Sequence, residues 1–137
     1  MKRRTWLVLS IVAACAAAGA CRSGNEAKFG GQIKGKQVTV GLGVTRAGDL
    51  EAPSATVWND TGGPLPVHPI KMQGWYKSGA TETSATEPGD PLPPNSSYIF
   101  PGLWRSRGGE CLERVRVEVS TGGGGEAFVF HRGEACP

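Results

Sequence analysis

Apolar residues recur at every second position over Val38, Val40, Leu42 and Val44, with Thr39, Gly41, Gly43 and Thr45 between them. Alternation of that period puts one side of an extended chain in a core and the other in water, so it predicts a half-buried β-strand. Similar stretches cover Ala55 to Trp58, Val67 to Tyr76, Tyr98 to Phe100, Leu112 to Val119 and Ala127 to His131. In the third of these six, Ile70, Met72 and Tyr76 share a face and Trp75 falls on the other. Pro69 lies inside it and argues for an edge strand or a bulge, because proline cannot donate to a ladder. Beyond the amino-terminal apolar run no helical stripe occurs.

Turn residues punctuate the strands at Asn59 to Pro64, Glu87 to Asn95 and Thr121 to Gly125. Glycine, proline, asparagine and aspartate at these densities favour reversals and positive φ. Short strands at this spacing predict an all-β fold, a small antiparallel β-sandwich over residues 37 to 137.

The last two strands frame the glycine run, and antiparallel partners around one turn have a constant index sum. Cys111 and Cys136 give 247 and a turn centred on Gly123 gives 246, so a Cys111–Cys136 disulfide is expected to close this hairpin. That register sets Val117 and Val119 opposite Phe130 and Phe128, an aromatic to β-branched pairing that favours a sheet. It also sets Glu113 against Glu134, a like-charge pairing that a bulge at Gly133 would relieve. A disulfide closing a loop of this size contributes about 3 kcal/mol, and its wide sequence spacing points to a structural rather than a redox role.

At the amino terminus Lys2, Arg3 and Arg4 precede an uncharged run from Trp6 to Ala20. This is the layout of a secretory signal peptide, and the run of 15 residues falls short of the roughly 18 to 20 that a membrane-spanning helix needs. It closes on Ala18, Gly19, Ala20 and Cys21, which resembles a bacterial lipobox, with Ala18 where leucine is common. That resemblance implies cleavage after residue 20 and acylation of Cys21, palmitate included. Val12, Ala13, Ala14 and Cys15 form a second candidate with a shorter apolar core. Of the cysteines at 15, 21, 111 and 136, lipidation at Cys21 discards the first and leaves one pair, as an oxidising compartment favours.

Removing the signal changes the charge. The chain carries +3, but its three amino-terminal cations leave with the signal, so residues 21 to 137 balance at zero. The excess is a targeting feature, and no nucleic-acid partner is expected. Arg22 to Lys36 is glycine-rich and polar, with Phe29 and Ile33 its only large apolar groups, and residues 21 to 36 are expected to be a lipidated flexible tether.

The stretches ATVWNDTGGPLP, HPIKMQGWYKSG and PLPPNSSYIF, at 55 to 66, 68 to 79 and 91 to 100, resemble the small immunoglobulin-like domains of bacterial envelope proteins, the FxLYD group among them. Trp75, Tyr76 and Gly79 carry the likeness, with Lys77 and Asn95 where that group has Asp and Gly. The segment GGPLPVHPI also resembles the entry strand of the small β-sandwich lipoprotein of type VI secretion. Both resemblances imply binding or scaffolding rather than catalysis.

Candidate chemistry is sparse. His68, Met72 and His131 could serve copper, but Met72 alternates with Ile70 and reads as core, so no metal and no cofactor are expected. Arg105, Arg107, Arg114, Arg116 and Arg132 form a candidate anion-binding patch, Arg114 and Arg116 sharing one outward face with Arg132 near them across the hairpin. The interleaved Glu110, Glu113, Glu118 and Glu134 give the plainer alternative of a solvated mixed-charge face. Trp75 and Trp104 are candidate stacking residues, with Trp58 beside them. No nucleophile motif, phosphate loop or carboxylate pair stands out, and no enzyme is expected. The expected protein is a lipoprotein anchored to the outer membrane or cell surface, facing periplasm or exterior and binding another envelope component. The alternatives are a periplasmic binder of an anionic polymer or metal, and an accessory lipoprotein of a secretion apparatus.

Overall fold

Among the described residues nine strands form two sheets packed face to face, a small β-sandwich. The computed structural model describes residues 25–48, 50–86, 89–102, 110–122 and 124–136. In chain order the strands are β1 (Glu26–Lys28), β2 (Gln32–Lys34), β3 (Val38–Ala47), β4 (Leu50–Asn59), β5 (Val67–Tyr76), β6 (Thr81–Thr86), β7 (Ser97–Pro101), β8 (Leu112–Thr121) and β9 (Gly124–His131). A five-stranded sheet runs β1-β9-β8-β5-β6 and a four-stranded sheet β2-β3-β4-β7. The segment expected to be a signal peptide, with Cys15 and Cys21, lies outside the described residues.

Period-two alternation builds the core. Val38, Val40 and Leu42 from β3 and Ala55 and Val57 from β4 face Ile70 and Met72 from β5, Val115 and Val117 from β8, and Phe128 and Phe130 from β9; all are buried. Removing a phenylalanine ring from such a site leaves a cavity and costs about 3 to 5 kcal/mol. Pro69 sits at a break in the ladder: the β5–β8 register shifts between Val67 and Ile70. Since β5 lies between β8 and β6, the bulge is realised and the edge position is not.

Three expectations change. The segment read as a tether is folded from Asn25 on, because β1 and β2 each add three residues to a sheet edge, β1 parallel to β9 and β2 antiparallel to β3. Such short strands need not bury enough surface to fold alone; Ile33 is 4% exposed in a core that the other strands supply. Phe29 N–H donates to His131 O at 2.9 Å in one sheet, and Gly30 N–H to Leu42 O at 2.7 Å in the other. The chain thus changes sheets within one residue, a step for which Gly30 takes φ +87°.

The second change is register. The β8–β9 ladder pairs Val115 with Phe130 and Val117 with Phe128, two residues away from the expected pairs but on the same face. Glu113 O therefore accepts from Arg132 N–H at 2.8 Å, and the clash with Glu134 does not arise. The Cys111–Cys136 disulfide is present, with Cα atoms 5.9 Å apart, and it spans the segments just outside the ladder rather than belonging to its register. The third change is β6, which no alternation foretold: its inward positions are Glu82, Ser84 and Thr86.

Asn59, the buried polar residue of the core, holds the crossover from β4 to β5. Its Nδ2 donates to Gly63 O at 2.8 Å and Leu92 O at 2.9 Å, and its Oδ1 accepts from Thr61 N–H and Thr61 Oγ1. All four amide valences are used, so the turn expected at Asn59 to Pro64 is tied to the segment entering β7. That segment includes Asn95 at φ +58°, which explains asparagine where the resembling group has glycine.

Candidate functional site

The outward face of the five-stranded sheet carries Trp75 on β5 beside Arg114 on β8, directly paired in the ladder. The Arg114 guanidinium lies 4.0 Å from the centroid of the Trp75 ring, a cation–π stack. The two residues line an open groove of about 690 Å³ at the disulfide end of the sheet, together with Lys77, Glu113, His131 and Glu134. His131 Nε2 is 2.7 Å from Glu26 Oε1 and so belongs to a contact between β9 and β1. The expected outward pair Arg114 and Arg116 is therefore in place, and Trp75 is partly covered by its arginine.

The other arginines among the described residues are committed to carboxylates. Arg116 pairs with Glu118 at 2.8 Å, and Arg46 with Glu51 at 3.1 Å and Glu134 at 2.8 Å. Arg132 does not join Arg114 and Arg116 as a patch. It has the parity of Phe128 and Phe130, so its side chain turns inward at the end of the sandwich, 8% exposed, and bonds Glu51 Oε2 at 2.9 Å. Glu51 also accepts from Leu112 N–H at 3.0 Å, and Arg132 Nη1 donates to Leu112 O at 3.0 Å. This network joins β4 of one sheet to β8 and β9 of the other. Burial pushes the Glu51 carboxyl up, but the Leu112 N–H, the bond and charge of Arg132 and the charge of Arg46 outweigh it and hold the group below the usual carboxylate range.

A second feature is the free side of β7. Asn59 N–H donates to Ser96 O at 3.0 Å and Gly102 N–H to Pro53 O at 2.9 Å, which fixes the phase of the β4–β7 ladder. Pairs in an antiparallel ladder alternate, so Tyr98 and Phe100 bond to β4 while the backbone groups of Ser97 and Ile99 turn to the other side, where no described strand lies. Pro101 has no N–H to offer, and Asn95 bends the chain at the opposite end. The open window is thus Ser97 to Ile99.

Its side chains are unusual for an edge. Ile99 is 69% exposed and Tyr98 38%, with Tyr98 meeting Phe100 edge to face at 5.9 Å. Edge strands are commonly blunted by charge or brevity. Here β1 and β2 have three residues each with Lys28 or Lys34, and β6 carries Glu82. Among the described residues only Pro101 guards β7, whose sequence is SYIFP.

Trp104, Arg105 and Arg107 lie outside the described residues, as does the side chain of His68. Met72 is buried at 2% exposure and is core, as read from its alternation. Ile99 was missed as a functional candidate; the signal available was an apolar residue between two aromatics on a strand followed by proline. No protein-family model matches the chain, and neither a curated protein nor a solved structure does.

Proposed function

We propose that the chain is a non-catalytic adaptor of a bacterial cell envelope, held to a membrane by acyl chains on Cys21, which docks an extended segment of another envelope protein onto the open edge of β7. The observation that carries this is the unguarded window at Ser97 to Ile99, with Ile99 69% exposed. An added strand would satisfy the outward N–H and C=O groups there while its side chains meet Ile99 and Tyr98, the β-augmentation mode.

The strand order supports an immunoglobulin-like arrangement. With β3, β4 and β7 as strands A, B and E, and β5, β6, β8 and β9 as C, C′, F and G, the pairings A–B, B–E, C–C′, C–F and F–G are those of that fold. In constant-type domains strand D lies beyond E. The open side of β7 is that place, and the partner segment would fill it. The lipobox resemblance and the cysteine parity support the anchor; two or more acyl chains hold a protein stably where one does not.

Ile99→Pro separates docking from folding, because the N–H it removes faces away from β4. We predict that the variant keeps the melting temperature of the wild type within a few degrees while a protein co-purified from detergent-solubilised membranes by the wild type is lost. Equal recovery with both would refute edge docking. The anchor is tested separately by membrane fractionation and intact mass of wild type and Cys21→Ser. An acylated, membrane-bound wild type against a soluble variant is expected, and a soluble wild type without acyl mass would remove the anchor.

A further inference from the structure

The geometry points to a second site, independent of β7: the groove beside the disulfide binds a small ligand through a carboxylate held by Arg114. Four arginines belong to the described residues of the domain. Three have carboxylate partners, Arg46 and Arg132 on Glu51 and Arg116 on Glu118. Among the described residues Arg114 has no hydrogen bond or ion pair, only the ring of Trp75 at 4.0 Å. A guanidinium held over an indole has lost much of its freedom while N–H groups at the edge of its fork stay available. That is the preparation a bidentate carboxylate site needs.

The surroundings select the ligand. At about 690 Å³ the groove is of the size that small-molecule sites have, and it opens at the end of the sheet rather than along it. Lys77 lines it, but so do Glu113 and Glu134, and those carboxylates weaken the field that a densely charged polymer would need. One planar carboxylate on an otherwise uncharged polar molecule, such as a sugar acid, fits this balance. His131 adds a polar wall, with its Nε2 already engaged by Glu26.

The test is a titration of the mature chain with glucuronate, glucose and inorganic phosphate, followed by the Trp75 indole and Arg114 side-chain N–H resonances. Glucuronate shifts both and saturates in the millimolar range, as expected for a single charge-assisted contact, while glucose at the same concentration shifts neither. Phosphate, whose higher charge meets Glu113 and Glu134 in the same groove, binds more weakly. Arg114→Lys keeps the charge but loses the fork and the stack, and affinity for glucuronate falls about tenfold. Arg116→Lys, on the same face but paired with Glu118, leaves it unchanged. No shift up to about 50 mM glucuronate overturns the site, since a contact weaker than that is below any specific carboxylate recognition. Equal binding of phosphate and glucuronate with Arg114→Lys unaffected also overturns it, by showing general attraction to cations. Loss of the co-purified protein in Ile99→Pro with no effect on glucuronate binding keeps the two sites distinct.

Discussion

The outward faces of the two sheets are built on one alternating pattern and yet are opposite in character. The five-stranded sheet presents Lys71, Gln73 and Trp75 on β5 next to Arg114, Arg116 and Glu118 on β8. The four-stranded sheet presents Thr39, Gly41, Gly43 and Thr45 on β3, Ser54, Thr56 and Trp58 on β4, and Ser97 and Ile99 on β7, all uncharged, while Lys34 on β2 puts a charge at the opposite margin. On the charged face Arg116 has found an anion in Glu118, and Arg114 rests on the Trp75 ring. On the other face Trp58 lies so close over Gly41 that a β-carbon there would come within 3.1 Å of the indole, which closes the middle of the sheet and leaves Ile99 open at its margin. Charge lines the first surface, and its absence around β7 leaves that margin ready for a strand.

The two sheets meet at the Arg132–Glu51 network, and breaking it has the largest expected effect. Arg132→Met should destabilise the domain by about 1 to 3 kcal/mol, because Glu51 loses the Arg132 bond while the Leu112 N–H and Arg46 still hold it. Chemical denaturation checks this, and a loss under 1 kcal/mol would show that the sheets are held by apolar packing alone. Acid sharpens the same point. Glu51 titrates below its ordinary value in the folded state, so its stabilising contribution is present above the unfolded carboxylate range, about pH 4.3, and is lost as pH falls through the folded value. Melting at pH 6 and pH 3 should therefore show the gap between wild type and Arg132→Met narrowing on acidification, and a constant gap would contradict the role given to Glu51.

The smallest effect is expected on the charged face itself. Arg116→Ala breaks an exposed pair with Glu118 and should change stability by less than about 0.5 kcal/mol. A larger change in the same denaturation experiment would mean that the Arg116–Glu118 pair is more than an exposed surface contact.

Much of this architecture was legible from alternation. Val38 to Val44, Val67 to Tyr76 and Leu112 to Val119 lie within β3, β5 and β8, and the disulfide followed from cysteine parity and the glycine run. What alternation hides is also physical. β6 escaped because its inward positions are polar at the margin of the core, and β1 and β2 because three residues carry no period. The hairpin register slipped by two because the cysteines lie beyond the last ladder pair, where the constant sum no longer holds. Arg132 was placed with Arg114 although it shares the parity of Phe130, a signal that identifies it as inward-facing once the end of the core is allowed to hold an ion pair. That Arg114 has no ion pair among the described residues, and that no described strand lies beside the outer edge of β7, depend on which neighbours the fold brings near, and no local pattern carries that.

The most direct test of edge docking is a photoreactive residue placed at Ile99 in living cells, compared with the same residue at Thr45 on β3 of the same sheet and at Thr83 on β6. Edge docking predicts one discrete cross-linked envelope protein from position 99, none from the other two, and its loss when Ser97→Pro is added. Equal cross-linking from all three positions, or none at 99, would contradict it.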